Sequence, residues 1–168
     1  DLYQDALKRL KKLIQLGTGA IEIKSGYGLS VAAEEKMLKV IARLKKEMPI
    51  PIKATLLGAH AIPKEYKDHR EGYIQLIIEE MIPKFSEEGI CDFIDIFCES
   101  GYFSVADAEM IMDAGKKYNL VPKIHVNQFT SIGGVQAGIK HKALSVDHLE
   151  VMTKEDIHVL IDTTTMPV

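Results

Sequence analysis

Three histidines in this chain stand just beyond short apolar runs: His60 in "LGAHA", His125 in "KIHVNQF" and His148 in "SVDHLE". Other groups able to do chemistry share that position. Lys24, Ser25 and Tyr27 follow "IEI", Glu99 follows "IFC", Asn127 and Gln128 follow His125, and Asp147 and Glu150 flank His148. An imidazole so placed can ligate a metal, act as a base or hydrogen-bond a substrate. Taken singly, each histidine fits a packed or solvated strand end just as well. Together they favour a shared site. His69, His141 and His158 fall instead in loops or at helix ends. One imidazole cannot hold zinc or iron, which need several protein ligands. The sequence has neither H-x-H nor H-E-x-x-H. If this is a metal site, most of its ligands lie elsewhere.

The elements that must position these residues alternate. Six apolar or β-branched runs are predicted strands: Ala20–Lys24, Ile52–Leu57, Phe93–Phe97, Val121–Val126, Ala143–Val146 and His158–Ile161. Helical spacing fills the intervals. Leu10, Leu13 and Ile14 mark a helix over Leu2 to Leu16. Ser30 caps one that runs to Met48, with Met37, Ile41, Leu44 and Met48 on one face. Tyr73, Ile77 and Met81 form a stripe that Pro83 interrupts. Ser104 with Asp107 reads as a capping box before Ile111 and Met112. Gly133-Gly134 opens a short helix to His141, and "TKED" starts a last turn or two.

Strict alternation with nearly continuous apolar strands predicts a parallel sheet buried on both faces. In such proteins the site lies beyond the carboxyl ends of the strands, where the βα loops gather. An open doubly wound sheet and a (β/α)8 barrel both fit the alternation. An open sheet concentrates its site at one switch point, whereas a barrel brings every strand end round one axis. The number of loaded strand ends favours the barrel. Tyr27, His60, His125 and His148 are then expected to converge on a common cavity.

The totals bound the function classes. At 168 residues with a mean hydropathy of 0.00, the chain reads as one globular domain, 1–168, with a sizeable core and no linker. Net charge is −3, and the basic pairs Lys11-Lys12, Lys45-Lys46 and Lys116-Lys117 fall near helix ends. They read as solvated last turns rather than a nucleic-acid surface. No stretch reaches membrane-span length, and the start is not a signal peptide. Cys91 and Cys98 lack zinc-knuckle or redox-pair spacing, which points to reduced thiols and a cytoplasmic protein.

"IEIKSGYGL", "LGAHAIPKEYK", "DIFCESGYFS", "KIHVNQFTSIGG" and "ALSVDHLE", in this order and spacing, resemble the imidazolonepropionases of the amidohydrolase superfamily. The resemblance covers essentially the whole chain, and "SGYGL" with "LGAHA" is its most telling pair. It implies a metal-dependent hydrolase of histidine degradation, with a distorted (β/α)8 barrel, a small β domain and one zinc or iron ion. Its substrate is 4-imidazolone-5-propanoate, a cyclic amide opened to N-formimidoyl-L-glutamate. Carried over residue by residue, His125 matches a metal ligand and His148 the histidine beside the attacking water. Tyr27, His60 and Gln128 match substrate contacts. Glu99 stands where two-metal relatives carry a bridging lysine. The family's H-x-H pair, metal-binding aspartate and propanoate-binding arginine are absent. The resemblance therefore implies a partial TIM barrel, about strands two to seven, without the first and last strands or the β domain. The chain alone is expected to be inactive, and the whole enzyme to be a homo-oligomer acting on a small molecule, with no nucleic-acid or membrane partner.

Three other readings stand beside it. Another one-metal cyclic amidohydrolase or deaminase is disfavoured by "SGYGL" and "LGAHA". An open α/β nucleotide- or phosphate-binding domain would rest on "TSIGG" as an anion site, without a G-x-G-x-x-G frame. A non-enzymatic remnant is disfavoured for the parent protein by the retained site residues.

Overall fold

The computed structural model describes residues 1–168. It begins with helix α1 (Leu2–Gln15), capped by the Asp1 side chain, which accepts from the Tyr3 N–H at 3.2 Å. Strands and helices then alternate: β1 (Ile21–Lys24), α2 (Val31–Glu47), β2 (Ile52–Ala59), α3 (Arg70–Leu76), α4 (Ile82–Glu87), β3 (Phe93–Cys98) and α5 (Val105–Lys117). The rest is β4 (Val121–Pro122), β5 (Ile124–Val126), α6 (Gly134–Lys140), β6 (Ser145–His148), α7 (Lys154–Leu160) and β7 (Met166–Pro167). Every strand pairing is parallel, in the order β1-β2-β3-β5-β6-β7, with β4 beside β3. The sheet curls into a half-barrel. No helix is long and apolar enough to cross a membrane.

Strand alternation divides the sheet into two unlike faces. Ala54, Leu56, Ile94, Ile96, Ile124, Val126 and Val146 belong to the buried core beneath the helices, with Leu38, Leu44, Phe85, Ile111 and Met112. The close fit of helix to sheet needs glycine. A Cβ on Gly115 would stand 2.6 Å from Ile94 Cγ2, and one on Gly134 2.5 Å from Val126 Cγ1. The alternate residues, Glu22, Lys24, Thr55, Asp95, Lys123, His125, Ser145 and Asp147, carry the polar groups of the concave face. Only two cysteines occur, both free, and burial pushes the Cys91 thiol up to about 11.

Several expectations need correction. The run His158–Ile161 is not a strand. It lies in α7 and its C-cap, because Thr153 and Asp156 form a reciprocal capping box that starts a helix there. The sixth strand position is instead the two-residue β7. The predicted strand Val121–Val126 is divided at Lys123 into β4 and β5, yet both pieces keep one register on β3, and the Lys123 N–H still donates to the Ile94 carbonyl at 2.8 Å. The predicted Ala143–Val146 strand is shifted towards His148, since the Ala143 N–H closes α6 on the Gly138 carbonyl at 2.8 Å. Pro83 does not end its helix. A π turn over Ile77–Met81, with the Ile82 N–H on the Ile77 carbonyl, widens the backbone just before it and relieves the ring.

Candidate active site

The strand ends gather around Phe97, a residue the sequence did not single out. Its ring lies 6.1 Å from His60, 6.4 Å from His125 and 6.3 Å from His148, centroid to centroid. His125 and His148 meet edge to face at 4.9 Å, and Tyr27 meets His60 in the same way at 4.9 Å. Four of the five predicted site residues thus share one aromatic cluster. Gln128 follows them in the loop after β5, half-buried, but enters none of these ring contacts. The cluster is an open rim rather than the expected cavity: Tyr27 is 81% exposed. Surface clefts lie elsewhere, one of about 660 Å³ along α1, lined by Lys8, Arg9 and Lys12 among others, and one of about 400 Å³ between α1 and α2, lined by Tyr3, Val40 and Arg43 among others.

All three imidazoles offer Nδ1 to an acceptor. His60 Nδ1 lies 3.1 Å from the Gly26 carbonyl, His125 Nδ1 3.0 Å from Asp95 Oδ1, and His148 Nδ1 3.4 Å from Glu150 Oε1. A carbonyl only accepts, so Nδ1 of His60 carries hydrogen, and the carboxylates favour the same state in the other two. The Nε2 atoms are left as the rings' lone-pair donors.

Beneath the rings lies a charge network. Lys24 Nζ stands 2.7 Å from Asp95 Oδ2, 3.0 Å from Asp147 Oδ2 and 3.2 Å from Glu22 Oε1. Lys123 pairs with Glu22 and approaches Asp147 Oδ2 at 3.7 Å. Ser145 Oγ donates to Asp147 Oδ1 at 2.6 Å, and Thr55 donates to Glu22. Burial opposes the charge on Lys24, but Asp95 and Asp147 outweigh it and raise its pKa. Burial likewise opposes ionisation of Asp95, yet His125 and Lys24 hold its carboxyl below the usual range. Asp147 is depressed too, burial being outweighed by Ser145 and Lys24.

Ligand atoms of Asp95, His125 and Asp147 lie within 4.8 Å of one another, a grouping that could in principle take a metal ion. Lys24 already bridges both carboxylates, however, so a cation entering between them would have to displace an ammonium. The free Nε2 of His125 is the better donor. A neutral imidazole whose other nitrogen is spent on a carboxylate suits zinc or iron.

Buried carboxylates also hold the loops. Glu34, in the first turn of α2, accepts from the N–H groups of Gly26 at 2.8 Å, Gly28 at 2.7 Å and Leu29 at 3.0 Å, which shapes "SGYGL". Gly26 has a φ of 114°, and a Cβ there would stand 2.9 Å from the Leu57 carbonyl oxygen. Glu99 accepts from the N–H groups of Phe129 at 2.9 Å and Thr130 at 3.2 Å. Asp156 accepts from Asn127 Nδ2 at 2.9 Å, Ser131 Oγ at 3.0 Å and Gln136 Nε2 at 2.9 Å. Two carboxylates thus border the approach to Gly133-Gly134, where an anion site would need positive potential. That disfavours the phosphate-binding reading.

No family model matches the sequence. Along its length it is similar to curated proteins named imidazolonepropionase. It is 58% identical over 168 residues to those of Christiangramia forsetii and Flavobacterium psychrophilum, and 43% identical over 167 residues to one from Acinetobacter baumannii. The matches take in 100%, 100% and 99% of this chain but 41%, 41% and 42% of the relatives. The chain therefore spans about two-fifths of the length of these relatives, and over that stretch it is similar to them from end to end.

Proposed function

We propose that the protein containing this chain is an imidazolonepropionase, opening the cyclic amide of 4-imidazolone-5-propanoate by metal-dependent hydrolysis to N-formimidoyl-L-glutamate. The observation that carries the reading is the edge-to-face meeting of His125 and His148 at adjacent strand ends, within a stretch 58% identical to proteins of that name.

In this reading the half-barrel is part of an amidohydrolase-type (β/α)8 barrel, with the chain forming one domain over about strands two to seven. His125 would hold zinc or iron through Nε2, with the remaining ligands in the part of the protein beyond this chain. When bound, such an ion supplies Lewis acidity and a nucleophile active at neutral pH. His148 takes a proton from the attacking water or steadies charge on the opened carbonyl. Tyr27, His60 and Gln128 orient the imidazolone ring, so little freedom remains to be lost at attack. Glu99, spent on loop N–H groups, takes no part in chemistry. The protein acts as a cytoplasmic homo-oligomer on a small molecule.

The test is the full-length protein, purified with its metal measured, and assayed for loss of imidazolonepropanoate and formation of formimidoylglutamate. Metal-dependent turnover is expected. A metal-replete, folded protein that leaves this substrate untouched would overturn the reading.

A further inference from the structure

We propose that Asp95, fixed in place by Lys24, is a positioning residue that sets the tautomer of His125 and so presents Nε2 as the ring's metal donor. This rests on the reading of His125 as a metal ligand and adds to it the residue that makes it one. Asp95 sits in mid-strand, in "FIDIF", and its side chain is fully buried. A carboxylate there needs a reason, because burying one without partners is costly.

Its partners supply that reason. Oδ1 accepts from the Ile96 N–H at 2.8 Å and lies 3.0 Å from His125 Nδ1. Oδ2 accepts from Lys24 Nζ at 2.7 Å and lies 3.0 Å from the same imidazole nitrogen. With a backbone N–H and an ammonium on two sides, the carboxylate cannot rotate away from the ring. A carboxylate only accepts, so Nδ1 must donate, and the ring's lone pair is confined to Nε2. A histidine with no such partner divides itself between two tautomers, one of which cannot ligate through Nε2. Both oxygens of Asp95 are engaged, so its role is to act through His125 rather than to bind the ion itself. Carboxylates that orient a ligating histidine are worth about 10–100-fold in metal affinity.

Asp95→Asn separates these possibilities. Asparagine keeps the shape, but its amide can donate to Nδ1 and favour the opposite tautomer, with hydrogen on Nε2. The experiment uses the full-length protein with 15N-labelled histidine, reading the imidazole 15N–1H correlations of the metal-free form. Zinc affinity is measured in parallel by chelator competition. In the unsubstituted protein, His125 is expected as the Nδ1–H tautomer. Asp95→Asn is expected to convert it to Nε2–H and to weaken zinc about 10–100-fold. Unchanged zinc affinity would overturn the proposal, as would loss of zinc with the Nδ1–H tautomer intact, which would make Asp95 a ligand. Should Asp95→Asn fail to fold, the unsubstituted spectrum still decides, because His125 found as Nε2–H refutes it. His125→Ala isolates the underlying reading: full zinc affinity there would show that His125 is no ligand, whatever its tautomer.

Discussion

His148 meets His125 only because it leaves the alternation of its strand. The register pairs His125 with Asp147 and Val126 with His148. Val126 is buried in the core, so a regular strand would send His148 to the helix-covered side with it. Instead His148 has a φ of 90°, and its ring lies 4.9 Å from that of His125. Its N–H donates to the Val168 carbonyl at 2.9 Å, which fixes the turn. A non-glycine residue at positive φ stores about 1–3 kcal/mol, and such strain collects at functional sites.

That geometry makes a prediction about both histidines. In the full-length protein, His148→Ala is expected to keep the metal but lose about 10²–10⁴-fold in kcat, the usual worth of a positioned acid or base. His125→Ala is expected to lose most of the metal and turnover together. His148→Gly removes the strain as well as the ring, so it should be about 1 kcal/mol more stable than His148→Ala. Metal analysis, steady-state kinetics and urea unfolding read the three effects. Equal metal loss in the two alanine variants would refute the division of roles.

The "SGYGL" loop yields a second prediction. Glu34 accepts three backbone N–H groups, and hydrogen bonds to a charged group contribute about 1.5–3 kcal/mol each, though not additively. Glu34→Ala is expected to destabilise the protein by about 3 kcal/mol and, by releasing the loop, to raise KM. Tyr27→Ala provides the contrast. That side chain is exposed, so stability should change by less than about 0.5 kcal/mol while KM still rises. A Glu34→Ala protein as stable as the original would show that the loop holds its own shape.

Much of the frame was legible because its signals are local. Ser30, Ser104 and Thr153 cap the helices they precede, and Ile41, Leu44, Ile111 and Met112 are buried as their spacing predicts. The run "HVLI" misled because a buried strand and one side of a short helix share the same apolar types. The charge network was invisible for another reason. Glu22, Asp95 and Lys123 look like solvated strand residues until folding brings together partners far apart in the chain. Lys24 reaches Asp95 across 71 positions and Asp147 across 123. His148 was found as a chemical group, but its departure from strand geometry has no residue-type signature, since positive φ usually announces itself as glycine.

Acid should loosen the loop that carries Gln128, and Asp156 should report it. This carboxylate is 1% exposed and touches Asn127, Ser131 and Gln136, with no cation beside it. Burial raises its pKa, but the Thr153 N–H, Gln136, and the hydroxyls of Thr153 and Ser131 together pull it below the ordinary value. The folded pKa is therefore lower than the unfolded one, about 3.9 for aspartate. The stabilisation is complete above the unfolded value and is lost as pH falls through the folded one. Asp156→Asn cannot ionise and accepts fewer of these bonds, so at pH 7 it should be less stable by about 1–3 kcal/mol. As the pH drops below about 4, the unfolded chain takes up the proton first and the folded one only at lower pH, so the difference between the two proteins should shrink. Urea unfolding of both proteins from pH 7 down to pH 3 measures that difference directly. A gap that stays constant over the acid range would mean that the donors around Asp156 hold it equally well in either protonation state.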